Sequence, residues 1–193
     1  MEGGGFVNII VLNGSPKGDV SVTMQYVRFM QKKFPVHAFS IVNVSREIKQ
    51  IEKDEKKFEE IIGKVRGSDA VLWAFPLYFL LVPSQYKRFI ELIRERRAEV
   101  AFREKYATAL STSIHCFDQI AHNYLHAVCD DLCMFYTGFY SADMQDLLKE
   151  EERQRMIRFA GLFFEAIQKK VPTQQVYPPL RSRSSGMNPG RLL

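Results

Sequence analysis

Phe6-Val7-Asn8-Ile9-Ile10-Val11-Leu12 runs straight into Asn13-Gly14-Ser15-Pro16-Lys17-Gly18-Asp19-Val20-Ser21-Val22-Thr23. The first part is an almost continuous apolar run rich in β-branched residues. It does not alternate between apolar and polar positions, so it predicts a strand buried on both faces, as in a parallel sheet. The second part is polar and opens a helical pattern over residues 21–34, with Thr23, Val27, Met30 and Phe34 on one face. A buried strand, a polar turn and an amphipathic helix make the first half of a β-α-β unit.

The alternation continues along the chain. Residues 36–44 predict a second strand, and residues 52–65 a surface helix with Phe58, Ile61, Ile62 and Val65 inward. Residues 70–75 predict a third strand that stops at Pro76. Pro83-Ser84 then opens a helix whose inner face is Tyr86, Phe89, Ile90 and Ile93. Residues 106–113 and 134–140 predict the last two strands. A helix over 118–132 separates them, with Ala121, Leu125, Val128 and Leu132 inward. A long helix over 147–170 closes the domain, with Met156, Ala160, Phe163, Phe164 and Ile167 on one side. Such a series implies parallel pairing with right-handed crossovers. The expected fold is α/β: a three-layer α/β/α sandwich around a five-stranded parallel sheet of order 2-1-3-4-5, with ligands at the strands' carboxyl ends. Residues 1–170 form one domain, and residues 171–193 are a Pro/Ser/Arg-rich tail, read as an extended arm or linker.

Bulk properties narrow the function classes. The chain has 193 residues, 46% hydrophobic and 25% charged, which suits one globular domain. No apolar run reaches the roughly 20 residues of a membrane helix. The short, glycine-rich N-terminus lacks the pattern of a signal peptide, so the expected location is cytoplasmic, with no membrane partner. The net charge is +5, but Arg181, Arg183 and Arg191 lie in the acid-free tail, leaving 24 basic against 22 acidic residues elsewhere. A near-balanced body argues against nucleic-acid binding. Three cysteines, Cys116, Cys129 and Cys133, fit a reducing compartment and no disulfide framework.

Three turns follow the first, third and fourth strands and should meet at one sheet edge. In the first, glycine allows close backbone approach, Ser15, Ser21 and Thr23 offer hydroxyls, and Lys17 offers charge. The helix start adds unpaired N–H groups. These are ingredients for a terminal phosphate. The turn is neither a Walker A sequence nor GxGxxG. Alternatively, it is an ordinary polar connection with a serine N-cap. The second turn, Pro76-Leu77-Tyr78-Phe79, is apolar enough to wall a flat aromatic ring, although its side chains could equally pack in the core or at a dimer contact. The third turn brings Ser113 and His115. His115 could stabilise negative charge on a reduced ring, or it could be structural.

These residues resemble those of the NAD(P)H-dependent FMN reductase family. Gly14-Ser15-Pro16-Lys17 with Ser21 and Thr23 is similar to the G-S-P-R…[SN]-x-T loop of that family. Asp69-Ala70, Pro76-Leu77-Tyr78 and Lys87-Arg88-Phe89-Ile90 are similar to its D-A…P-x-Y…K-x-F-I-D pattern. The resemblance spans about residues 6–170. It implies a flavodoxin-like fold, noncovalent FMN, and a homodimer or homotetramer with flavins near subunit contacts. By match, Ser15, Lys17, Ser21, Val22 and Thr23 would hold the phosphate. Pro76, Leu77, Tyr78 and Phe79 would line the ring, and Ser113 and its neighbours, His115 among them, would close the far side. Two departures stand out: Lys17 replaces an arginine and loses its bidentate fork, and Ser113-Ile114-His115-Cys116-Phe117 replaces a glycine-rich loop. Residues 44–58 also lack the cysteine cluster of the related iron–sulfur flavoproteins.

Other chemistry finds less support. His122, His126, Cys129 and Cys133 share one helix stripe, but positions 122 and 133 lie about 16 Å apart along the axis and cannot close one tetrahedral site. Packing beside the inward stripe is the better account. No nucleophile elbow appears. Asp130 and Asp131 are consecutive and read as solvated. The expected function is an FMN-binding oxidoreductase that takes electrons from NAD(P)H or a protein donor and passes them to a small-molecule or protein acceptor, with no side chain assigned as catalytic. The alternatives are a flavin electron-transfer module of a larger assembly and, third, a structural domain without flavin.

Overall fold

A computed structural model describes residues 5–114 and 117–178. Its sheet is parallel throughout, in the order β2-β1-β3-β4-β5, from β1 (Asn8–Asn13), β2 (Ala38–Val42), β3 (Ala70–Pro76), β4 (Tyr106–Ser113) and β5 (Phe135–Asp143). The unalternating run read in β1 is buried on both faces, and β3 and β4 are buried in the same way, as the parallel arrangement requires.

Alternate strand residues feed two cores. Ile10, Leu12, Val71, Trp73 and Phe75 face helices α2 (Val44–Lys53), α3 (Glu55–Arg66), α4 (Ser84–Glu95) and α5 (Asp118–Asp131). Ile9, Val11, Leu72, Ala74 and Leu110 face α1 (Val22–Lys33) and α6 (Glu150–Gln168). The result is the flavodoxin-like three-layer sandwich, with the carboxyl ends of the central strands free to carry a site.

Three readings from sequence are corrected. The single helix over 52–65 is two helices, α2 and α3, separated at Asp54. Asp54 caps α3 by accepting from the backbone N–H groups of Lys56 and Lys57. Val44 belongs not to the second strand but to the first turn of α2, where Val44, Ile48 and Ile51 form the buried stripe. Asp130, read as solvated, is buried at 3% exposure. Its Oδ2 accepts from the N–H groups of Val176 at 2.8 Å and Tyr177 at 2.9 Å. The tail therefore begins as a strap: residues 171–178 cross back over α5, and Tyr177 meets the His126 ring edge-on. Arg181, Arg183 and Arg191 lie outside the described residues.

The β4–β5 ladder contains one irregularity. Ala107 pairs with Tyr136, but Ala109 pairs with Phe139, so β5 carries one extra residue around Gly138, whose φ is +115°. This is a bulge.

Candidate functional site

The first turn is wound tightly against the sheet. Gly14 donates its N–H to the carbonyl of Ala74 at 2.7 Å, tying the turn to β3. A Cβ on Gly14 would lie 2.7–2.9 Å from the Tyr86 ring and Phe75, so no side chain fits there. Asn13 Oδ1 accepts from Ser15 N, and Asn13 Nδ2 donates to Asn43 Oδ1 at 2.7 Å. Asn43 in turn donates to Asp19. Gly18 turns the chain at φ +61°, and Ser21 caps α1 by accepting from Met24 N. Lys17 stands exposed on the rim, above the buried hydroxyls of Ser15, Ser21 and Thr23.

The second and third turns are joined to it. Leu77 N donates to Thr112 O at 2.9 Å and prolongs the β3–β4 ladder. Thr23 Oγ1 and Thr112 Oγ1 lie 2.7 Å apart in a buried hydrogen bond. Tyr26 clamps the turn after β5: its hydroxyl donates to Asp143 O, and burial pushes its pKa up to about 12.

A cavity of about 220 Å³ opens between these turns. Ser15, Lys17, Ser21, Val22 and Thr23 line one side, and Pro76, Leu77, Tyr78 and Ser113 another, so nine of the residues singled out from sequence meet there. Phe79 does not. It is 77% exposed, and it bridges locally to Leu81 as Leu80 takes a left-handed φ of +61°. His115 lies outside the described residues. Thr112 and Ile114, the neighbours of Ser113 in the third turn, also line the cavity, as does Met144, which was not singled out. Met144 follows the far end of β5.

Beneath Ser113 runs a chain of hydroxyls. Ser113 Oγ donates to Asp118 Oδ2 at 2.5 Å, and Ser141 donates to the same oxygen. Ser111 Oγ donates to Ser141 at 3.1 Å and sits 2.9 Å from His122 Nε2. Because the Ser111 proton is committed to Ser141, His122 must donate from Nε2, which assigns its tautomer. Burial holds His122 neutral, with a pKa lowered from 6.5 to about 4, and its ring stacks on Phe139 at 3.8 Å. Of the neighbouring stripe residues, His126 stacks on Tyr136 and Cys129 is buried, whereas Cys133 lies past the end of α5 and is exposed.

A larger hollow of about 750 Å³ lies at the opposite end of the sheet, among Phe6, Asp69, Lys105 and Tyr106. It faces the amino ends of the strands, and Lys105 there donates to the carbonyls of Arg66 and Ser68. In a parallel sheet the smaller carboxyl-end cavity is the better candidate, because helix N-termini and strand-end turns converge there.

Comparison with known families decides the assignment. Residues 7–135 match the family model of NADPH-dependent FMN reductase. The chain belongs to that family. The FMN reductase fold recurs in solved structures at low identity. An NADH:FMN oxidoreductase solved in its apo form is 14% identical, with a TM-score of 0.69 over 83% of this chain and 89% of that one. FerB, an NAD(P)H:acceptor oxidoreductase from Paracoccus denitrificans, is 17% identical, with a TM-score of 0.69 over 84% and 98%. An FMN-dependent NADH-azoreductase from Bacillus anthracis, solved with FMN, is 14% identical, with a TM-score of 0.57 over 85% and 99%. No curated protein matches. Family membership makes this chain an NAD(P)H-dependent oxidoreductase that works with FMN.

Proposed function

We propose that the carboxyl-end cavity holds FMN and that the enzyme passes electrons from NAD(P)H through it to a small, flat acceptor such as a quinone. The convergence of Lys17 and three buried hydroxyls with the apolar Pro76-Leu77-Tyr78 wall in one cavity carries this reading. The donor set suits an anionic phosphate beside an aromatic ring. Ser15, Ser21 and Thr23 offer hydroxyls, α1 points its N-terminus inward, and Lys17 supplies charge. At about 220 Å³ the cavity suits the phosphate and one edge of a ring, with exposed Tyr78, Ile114 and Met144 beside it.

When bound, FMN supplies hydride acceptance and onward electron transfer. The chain's own residues bind and orient it. The Thr23–Thr112 bond fixes the phosphate turn against the ring turn, and Pro76 and Leu77 exclude water from one side. Ser113 presents an oriented hydroxyl. His122 stays neutral and buried, so it serves as a hydrogen-bond donor and not as an acid at neutral pH.

Tyr78, Ile114 and Met144, which line the cavity, are 62%, 75% and 58% exposed and form an apolar collar at its mouth, and Phe79, next to Tyr78 in the chain, adds a further exposed ring. The collar supports association with a second copy of the chain, as a homodimer or homotetramer. Among the described residues no helix is long and apolar enough to cross a membrane. We place the reaction in the cytoplasm on the chain's cysteine usage, with Cys133 an exposed free thiol. FMN titration followed by steady-state NADPH and NADH oxidation with quinone and ferricyanide tests the proposal. The expected result is tight FMN binding with turnover of quinone. Binding without turnover from either nicotinamide, but with reduction by a protein donor, would point instead to the electron-transfer module.

A further inference from the structure

We propose that Asp118 is a positioning residue that sets the redox preference of the bound flavin by acting through Ser113. This rests on the reading of the cavity as the FMN site. Asp118 is 8% exposed, in the first turn of α5, directly behind the cavity wall. One of its carboxylate oxygens takes the hydroxyl protons of both Ser113 and Ser141. Ser111 donates into the same chain, and His122 starts it from Nε2. Four side chains from β4, α5 and β5 therefore point their protons one way, toward Asp118.

That polarity has a consequence at the wall. Ser113 lines the cavity, and its hydroxyl proton is turned away from it, toward the carboxylate. Toward a ligand Ser113 can therefore act only through oxygen, as an acceptor. A carboxylate lies one hydrogen bond behind it. Both features oppose negative charge on the ring edge they face, and reduction of a flavin without full protonation adds such charge. Asp118 thus biases the site toward oxidised FMN and makes the bound cofactor a stronger reductant. A mere helix-start role for Asp118 would be satisfied by any N-terminal capping residue and would leave the flavin's preference untouched.

The test uses full-length protein reconstituted with FMN. Oxidised-FMN affinity is read by fluorescence titration, the midpoint potential by spectroelectrochemistry, and folding by circular dichroism and thermal melting. Asp118→Asn and Asp118→Ser both remove the charge, the second with a side chain suited to helix starts, and Asp118→Glu retains it. The neutral variants are expected to bind reduced FMN about tenfold more tightly relative to oxidised FMN, an upward shift of about 30 mV for a two-electron couple. Asp118→Glu is expected to stay near the parent value. The inference is overturned if a folded neutral variant binds FMN with the ratio changed less than twofold, or if Asp118→Glu shifts as far as Asp118→Asn. Failure of the parent protein to bind FMN at all would instead remove the cavity assignment beneath it.

Discussion

Thr23 Oγ1 and Thr112 Oγ1 meet at 2.7 Å across 89 residues of sequence, joining the start of α1 to the end of β4. Both side chains are buried, at 0% and 5% exposure, so each hydroxyl depends on the other. Thr112→Val removes one partner and strands the Thr23 hydroxyl. The expected cost is about 1–2 kcal/mol, read as a lower melting temperature, together with weaker FMN binding because the two turns lose their link.

Gly14 tolerates no side chain. Gly14→Ala would push a methyl group into the Tyr86 ring, which is itself held by a 2.6 Å bond from its hydroxyl to Leu12 O. Overpacking of this kind costs about 1–3 kcal/mol. Denaturant unfolding should show that loss, and FMN titration should show a displaced turn. Wild-type stability in the Gly14→Ala variant would refute the tight-approach account.

Lys17 supplies exposed charge at the first turn. Lys17→Ala should weaken FMN binding about tenfold and flatten its salt dependence, since the lost contribution is electrostatic and screened. Lys17→Arg keeps the charge and should retain most of the affinity. Isothermal titration at two salt concentrations measures both effects.

His122 makes stability depend on pH with a defined sign. Its folded pKa of about 4 lies below the ordinary 6.5, so between these values the unfolded chain binds the proton and the native state does not. Stability is retained above pH 6.5 and falls as the pH drops toward 4, by up to roughly 3 kcal/mol from this group. His37, also lowered by burial, acts in the same direction. His122→Gln keeps a donor for Ser111 and should flatten the profile over that window. Urea melts of both proteins from pH 7 to 4 give the difference directly, and parallel curves would contradict it.

Asp130 pins the start of the tail. Asp130→Ala removes the acceptor shared by Val176 and Tyr177. Amide exchange at those two positions should accelerate at least tenfold, while the β3 and β4 amides stay protected. Unchanged exchange would show that Tyr177 packing on His126 holds the strap without Asp130.

Much of this architecture was legible because its signals are local. Residues 106–113 read as a strand and form β4 with the same ends, since a short stretch of small, aromatic and hydroxylated residues between two helical patterns has few alternatives. The second helix was not read, although Val44, Ile48 and Ile51 carry its i, i+4, i+7 stripe. Val44 continued the preceding apolar run and was absorbed into the strand, and the charged residues after it masked the cap at Asp54. At the site, the turn residues could be found from type and spacing, because hydroxyls, glycine and lysine after a strand are a local pattern. Phe79 faces outward because Leu80 takes a left-handed conformation that nothing in residue type announced. Asp118, Ser141 and His122 were missed as a group, since no spacing links a helix start to the far end of β5. Asp130 was read from helix periodicity alone, whereas its burial comes from the returning tail.

The extra residue near Gly138 decides which side chain meets Ser111. Counting from the Ala107–Tyr136 pair without it, Tyr140 would stand beside Ser111, and Ser141 would point into the opposite layer. One inserted position changes odd to even for the rest of β5, so Ser141 stands beside Ser111 and Tyr140 turns to Phe159 on α6. Deleting Gly138 would therefore exchange a hydroxyl for a phenol at the heart of the relay while leaving every residue that lines the cavity in the sequence.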